Sequence, residues 1–260
     1  MQGFWWLIID VCDRKSIDLT NIKWVFFDMG GVLVDSRPLF SYIADSLYWK
    51  LQVDAEFLKE RIIHNFARLK SEKGFKTARR LFYESLLEIV RELNVEAALA
   101  QQIAIEAGKL YADFFVNHVQ LYPDALACLE SLKNLRYRLG VISDADWNVL
   151  KAEMKRLGIL KYFSVIVASS EVRSYKPNRK IFTSALKLAR CQPNEAVYIG
   201  DSEVDAGSKR AGLTFILLDR GEKELAEPAH LNPDITVHNL HEVINLLTTS
   251  LNGNEERVGR

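Results

Sequence analysis

A chain of 260 residues that is 48% hydrophobic and 26% charged has a soluble globular composition, long enough for one large domain or two modest ones. Its 34 basic residues are balanced by 34 acidic ones, which leaves no electrostatic footprint for nucleic acid or an anionic membrane surface. The three scattered cysteines, Cys12, Cys128 and Cys191, form no CxxC pair and join no Cys/His cluster, which argues against zinc and a disulfide framework and for a reducing cytoplasm.

In chain order, an apolar stretch at residues 4–9 lacks a basic leader. It meets Asp10 and Asp13 too early for a membrane span of about 20 residues, so it is expected to pack on the body within an N-terminal extension over 1–21. The first strand is predicted over 24–28, four apolar residues ending abruptly in Asp28 and running into Met29-Gly30-Gly31-Val32-Leu33. The alternation of strand and helix then breaks. Residues 37–118 contain helical periodicity at 39–51, 55–69, 77–93 and 96–116 but no convincing strand, so a separate helical bundle is expected. It leaves just after the Asp28 loop and returns near Tyr122-Pro123, which sets it over that loop as a lid. Strands are predicted at 138–143, 164–168, 196–200 and 214–218, with amphipathic helices at 125–134, 146–157 and 178–189. The predicted fold class is α/β, a Rossmann-like parallel sheet formed by 22–36 and 119–250 with the helical bundle inserted, and residues 251–260 a flexible polar tail.

The chemistry concentrates in four short segments. Asp28 and Asp201 each follow a buried strand, where open α/β sheets bind ligands. A carboxylate such as Asp28 can attack a phosphate monoester, and a cation that touches both anions removes their repulsion. Mg2+ suits that task, with Asp28, Asp201 and the backbone carbonyl of Gly30 as candidate ligands and Asp205, four residues beyond Asp201, in support. Ser143 ends its strand just before a helix and, with Gly31 and Asp144, borders a candidate phosphate cradle. Lys176, in Tyr175-Lys176-Pro177, is placed to bridge nucleophile and phosphate.

These segments resemble, in order, the four motifs of the haloacid dehalogenase (HAD) superfamily: Asp28 to Leu33, Ser143, Lys176-Pro177, and Gly200-Asp201 through Asp205. The helical insertion resembles a C1-type cap, and Thr214 to Arg220 is similar to a group of archaeal HAD phosphatases. The resemblance implies a Rossmann-like core, an Asp28 nucleophile, Mg2+ as cofactor and phosphatase activity on a small phosphorylated metabolite. Two positions depart from it. The general-acid aspartate usual two residues after the nucleophile is Gly30, and the asparagine common after the second-motif serine is Asp144, expected here to turn away and cap the following helix. Gly30 keeps a catalytically weak binding protein as an alternative, and a 2-haloacid dehalogenase using the same Asp28 attack is another. The sequence leaves monomer and homodimer both open.

Secondary candidates have plainer readings. Asp35 suits a turn as well as a substrate contact, and His64 and His118 suit structural or solvated positions. Lys76, Arg79 and Arg80 read as a solvated helical face. The aromatics Phe66, Phe75, Phe82, Tyr83, Tyr111, Phe114 and Phe115 read mostly as the bundle's own core, with one or two turned to the cleft.

Overall fold

The computed structural model describes residues 17–221 and 231–258; the apolar stretch at 4–9 lies outside them. In chain order the strands are β1 (Trp24–Phe27), β2 (Val34–Asp35), β3 (Gln120–Leu121), β4 (Arg138–Ser143), β5 (Phe163–Ala168), β6 (Ala196–Gly200), β7 (Thr214–Leu218) and β8 (Ile235–Val237). The helices are α1 (Leu39–Leu51), α2 (Ala55–Ser71), α3 (Ala78–Glu92), α4 (Ala97–Asp113), α5 (Ala125–Asn134), α6 (Trp147–Arg156), α7 (Ser169–Val172), α8 (Arg179–Ala189) and α9 (Leu240–Val258).

Six strands form one parallel sheet in the order β5-β4-β1-β6-β7-β8. The chain travels outward from β1 through β4 to β5, then returns to the other side of β1 with β6. The strand order therefore reverses between β1 and β6, the position at which an open α/β sheet leaves a crevice beyond its carboxyl ends. Helices cover both faces, which is why every residue of β1 and β6 is buried. Side-chain alternation divides the core in two. Trp24, Phe26, Tyr198 and Phe215 meet Ile181, Phe182 and Ala185 of α8 on one face. Val25, Phe27, Val197 and Ile199 join α5, α6 and α9 on the other, through Leu129, Leu150 and Val243.

That second core continues into the helical insertion, where Ile43, Leu47, Leu58, Phe82, Leu86 and Ile103 pack together. The insertion rises from β2 and returns through β3, which pair antiparallel as a two-residue ribbon, Val34 with Leu121 and Asp35 with Gln120. It is also tied to the core at the turn after β4. The Asp146 carboxylate accepts from Ala78 N (2.8 Å) and Arg79 N (3.1 Å), capping α3 from outside the bundle, while Thr77 Oγ1 accepts from Arg80 N. Tyr111 of α4 accepts from Asp146 N, and the Tyr175 hydroxyl donates to the Lys76 carbonyl.

Some elements differ from the sequence reading. The strands β2, β3 and β8 and the helix α7 are too short to carry a periodic signal, and only their neighbours define them. The last lid helix ends at Asp113 and continues as a π segment, Phe114–His118. At the other end, α9 runs to Val258, through most of the stretch expected as a polar tail.

Gly140 of β4 sits in register with Phe26, and a Cβ there would lie 2.4 Å from the Phe26 ring. Neither the buried ring, which stacks on Trp24, nor the central strand has room to move. Gly140→Ala is expected to lower stability by about 1–3 kcal/mol, read as a lower urea midpoint with an unchanged slope. An unshifted midpoint would mean that the ring relaxes freely.

Candidate active site

Asp28 directly follows β1, its N–H donating to Ile199 O of β6 (2.9 Å). Because Phe27 pairs with Ile199, Asp28 and Asp201 emerge side by side at the point where the strand order reverses. Both are buried. The turn between β5 and α8 brings Lys176 against them, with Nζ 2.8 Å from Asp28 Oδ2 and 2.7 Å from Asp205 Oδ1. The Tyr198 hydroxyl, fully buried in β6, donates to the same Asp205 oxygen at 2.7 Å. The second Asp205 oxygen accepts from Asp201 N, Ser202 N and Ser202 Oγ. Asp205 thus anchors the lysine and shapes the turn that carries Asp201, with both of its oxygens committed. Ser143 completes the set, buried at the end of β4 and lining the same cavity as Asp28, Asp201 and Lys176.

The loop after Asp28 is held closely. Met29 O accepts from Val32, Leu33 and Val34 N–H groups, and Gly31 N donates to Val34 O. Gly31 has φ +78°, and a Cβ there would fall 1.8 Å from Asp201 Oδ2. Only glycine fits, on conformation and on space alike. At Gly30 a Cβ would meet Ser36 Oγ at 2.7 Å, so the Ser36 hydroxyl stands where a side chain at position 30 would begin. Arg220, just beyond β7, pins this loop by donating to Gly31 O and Val32 O. The same guanidinium makes a two-pronged bond to Asp124 and lies 3.9 Å from the Tyr122 ring centroid. Neither Ser36 nor Arg220 was a site candidate from sequence; the basic residue closing the strand at 214–218 was the available signal.

Asp144 does not cap the helix that follows it. Its Oδ1 accepts from Lys176 N (3.0 Å), and its Oδ2 takes the Nζ of Lys70 (2.8 Å), which reaches in from α2 of the lid. The Asp144 charge beside Ser143 is therefore compensated by a lid cation, and the capping role goes to Asp146, directed at α3 instead. The secondary candidates disperse. Asp35 binds Arg37 locally, His64 is exposed, and His118 pairs with Asp113 and lines a separate surface hollow. Lys76 and Arg80 are occupied by Glu72 and Glu84.

The electrostatics follow from burial. Burial pushes the Asp28 carboxyl well above the usual carboxylate range; Lys176 opposes this, while Asp205 and Asp201 add to it. Burial acts on Asp205 in the same sense, but Lys176, Ser202 and Tyr198 win and hold it low. Burial also disfavours the Lys176 ammonium, yet Asp205, Asp28 and Asp144 together keep its pKa above the ordinary lysine value. Asp28, Asp201 and Asp205 each offer an oxygen within 4.8 Å of the others. Three carboxylates against one ammonium leave a surplus of negative charge in a buried site, an environment that fits a divalent cation.

The cavity in front of these groups holds about 280 Å³. Its outer wall is aromatic, built by Phe40, Phe66, Phe82, Tyr111 and Phe115 from the lid. More lid aromatics turn to the cleft than the one or two expected, because the bundle's core and the cavity wall are one continuous layer. Glu153 of α6 lines the cavity as well.

Residues 25–218 match the family model described as haloacid dehalogenase-like hydrolase. The chain is 29% identical to the glyceraldehyde 3-phosphate phosphatase of Methanothermobacter thermautotrophicus over 83% of its own length and 95% of that protein. It is 27% identical to the enzyme of the same description from Methanopyrus kandleri, over 73% of this chain and 90% of that one. Among solved structures, a 2-haloacid dehalogenase from Pseudomonas syringae pv. Tomato superposes with a TM-score of 0.66 at 26% identity, covering 88% of this chain and 99% of the other.

Asp205→Asn is expected to destabilise the fold by about 3–5 kcal/mol at neutral pH, since it leaves Lys176 buried with its main partner lost. The sign with pH is fixed by the low folded-state pKa of Asp205. Its contribution is complete above the unfolded value of about 4 and fades as the pH falls below it. The gap between wild type and variant, read from urea unfolding at neutral and acid pH, is expected to narrow in acid.

Proposed function

The chain belongs to the haloacid dehalogenase-like hydrolases, and from that premise we propose that it is a Mg2+-dependent phosphatase that hydrolyses a small phosphorylated metabolite through an aspartyl-phosphate on Asp28. The observation that carries this reading is the pairing of Asp28 and Asp201 at the sheet's switch point, with the Lys176 ammonium 2.8 Å from Asp28. The archaeal relatives, both glyceraldehyde 3-phosphate phosphatases, support a hydrolase acting on phosphate monoesters.

In this reading Asp28 attacks phosphorus, the ester P–O bond breaks, and the leaving oxygen takes a proton. Water then attacks the aspartyl-phosphate, releasing phosphate and restoring Asp28. Lys176 holds the nucleophile by its second oxygen and offsets charge on the transferred group. Ser143 and the backbone amides around Gly31 and Asp144 receive phosphate oxygens, and Asp144 stays tied to Lys70 so that its charge does not oppose them. Mg2+, held by Asp28, Asp201 and the Gly30 carbonyl, would supply charge neutralisation between carboxylate and phosphate. Asp205 does not join that ligand set, because both of its oxygens already accept bonds from the protein. The reading also carries a cytoplasmic setting in which Cys128 and Cys191 remain free thiols. Displacement of halide by the same Asp28 attack needs no cation, and the surplus of carboxylates at Asp201 and Asp205 weighs against it.

Phosphate release is expected only with Mg2+, from wild type and not from Asp28→Asn, whose urea midpoint should stay near or above the wild-type value. Halide release from a 2-haloacid without Mg2+, or activity in Asp28→Asn, would overturn the assignment. A positioned general acid contributes roughly 10²–10⁴-fold, and position 30 has no side chain to provide one. Phenyl phosphate should therefore exceed n-propyl phosphate in kcat by about 10²-fold, because an aryl oxide leaves without that proton. Equal rates would imply an acid elsewhere.

A further inference from the structure

Glu153 is a buried acid to which the chemistry above gives no task. It lies on α6, 2% exposed, one helical turn beyond Val149, and both residues line the cavity. Its Oε1 has no hydrogen-bond partner. Among the described residues only Ser85 Oγ and Ser208 Oγ share that condition, and neither lines the cavity. An unpartnered buried polar atom costs roughly 1–3 kcal/mol, and a site that tolerates one holds it for a ligand or for strain.

The surroundings say what form the group takes. Tyr111 and Phe115 of the lid line the same cavity as Val149 and Glu153. The Tyr111 hydroxyl already accepts from Asp146 N. Arg156, three residues along α6, spends its guanidinium on Val119 O. Burial pushes the Glu153 carboxyl up to about 8; Arg156 works against this, and Asp28 adds to it. At neutral pH the group therefore keeps its proton and presents an O–H donor and a carbonyl acceptor within an apolar wall. Its complement is a neutral oxygen function. An ammonium calls for the ionised form, and an apolar group leaves the acid unpartnered.

We infer that Glu153 is a specificity-determining residue for the leaving group, donating a hydrogen bond to a hydroxyl or carbonyl oxygen so that the site selects short hydroxylated phosphate esters over apolar ones of the same size. This rests on the phosphatase reading. The lid aromatics enclose the carbon chain, and the acid supplies a polar contact from the α6 side of the wall. Sites built to bond a substrate hydroxyl discriminate against analogues that lack it because their own polar group is then stranded.

The test compares glycerol 3-phosphate with n-propyl phosphate, alkyl esters of equal chain length, in Mg2+. Wild type is expected to favour glycerol 3-phosphate in kcat/KM by about tenfold or more, the value of one hydrogen bond. Glu153→Leu should bring the ratio near one by raising KM for glycerol 3-phosphate, with propyl phosphate turnover kept. Glu153→Gln, which retains a donor, should keep most of the preference. A ratio unchanged in Glu153→Leu overturns the inference while leaving the phosphatase reading intact. So does a wild-type preference for ethanolamine phosphate that disappears in Glu153→Gln, since that would mark an ionised carboxylate binding an ammonium. Wild-type protein that releases no phosphate from any of these esters overturns both.

Discussion

The Lys176 ammonium, buried between Asp28 and Asp205, is the interaction around which this molecule is arranged. A buried cation is tolerated only with matched anions and hydrogen bonds, and each partner comes from a different part of the sheet. Asp28 follows β1, Asp205 follows β6, and Tyr198 reaches up from within β6 to the same Asp205 oxygen. The backbone of Lys176 is fixed in turn by Asp144 at the end of β4. Three strands and the turn before α8 are thereby locked in register at their carboxyl ends, where the chemistry is. The strand order that reverses between β1 and β6 supplies the crevice, and the ion network sets what lies on its floor.

The lid is held to that floor by the same economy of charges. Lys70 descends to Asp144, and Asp146 closes the N-terminus of α3. The residues that follow Ser143 therefore serve two structures at once, the cavity floor below and the helical bundle above. The cavity is bounded by both: carboxylates, Lys176 and Ser143 on one side, an aromatic wall on the other. Glu153 joins that wall from α6 as a buried acid, its carboxyl pushed above the usual carboxylate range by burial. The Gly30 departure also has a local cause, since the Ser36 hydroxyl occupies the space into which a side chain at position 30 would grow. The bare position 30 and the unpartnered Glu153 oxygen are thus separate features of one cavity.

Much of this was legible in the chain. Apolar runs that end in Asp28, Ser143 and Asp201 state their own strand ends, because a buried parallel strand has little use for a polar side chain until it emerges. Helical periodicity in residues 37–118 located the insertion. Lys176 was found through its setting before a proline. What escaped were contacts with no local signature. Ser36 meets the Asp28 loop only through the fold of the turn between them, Arg220 reaches it from far along the chain, and Asp144 turns from the helix it precedes because its partner Lys70 lies in the lid. The strands β2, β3 and β8 exist only through their neighbours.

Local residue chemistry determined the parallel α/β class, the four segments that converge and the residue types they bring, since periodicity and strand-end acids are properties of short windows of sequence. Tertiary structure alone decided how those charges are shared: that Asp205 spends its oxygens on Lys176, Tyr198 and the turn at Asp201 and Ser202, that Asp144 faces the lid, and that Glu153 Oε1 stands without a partner in the cavity wall. Pairing and burial depend on what lies across space, and they set which acids are ionised and which keep their protons.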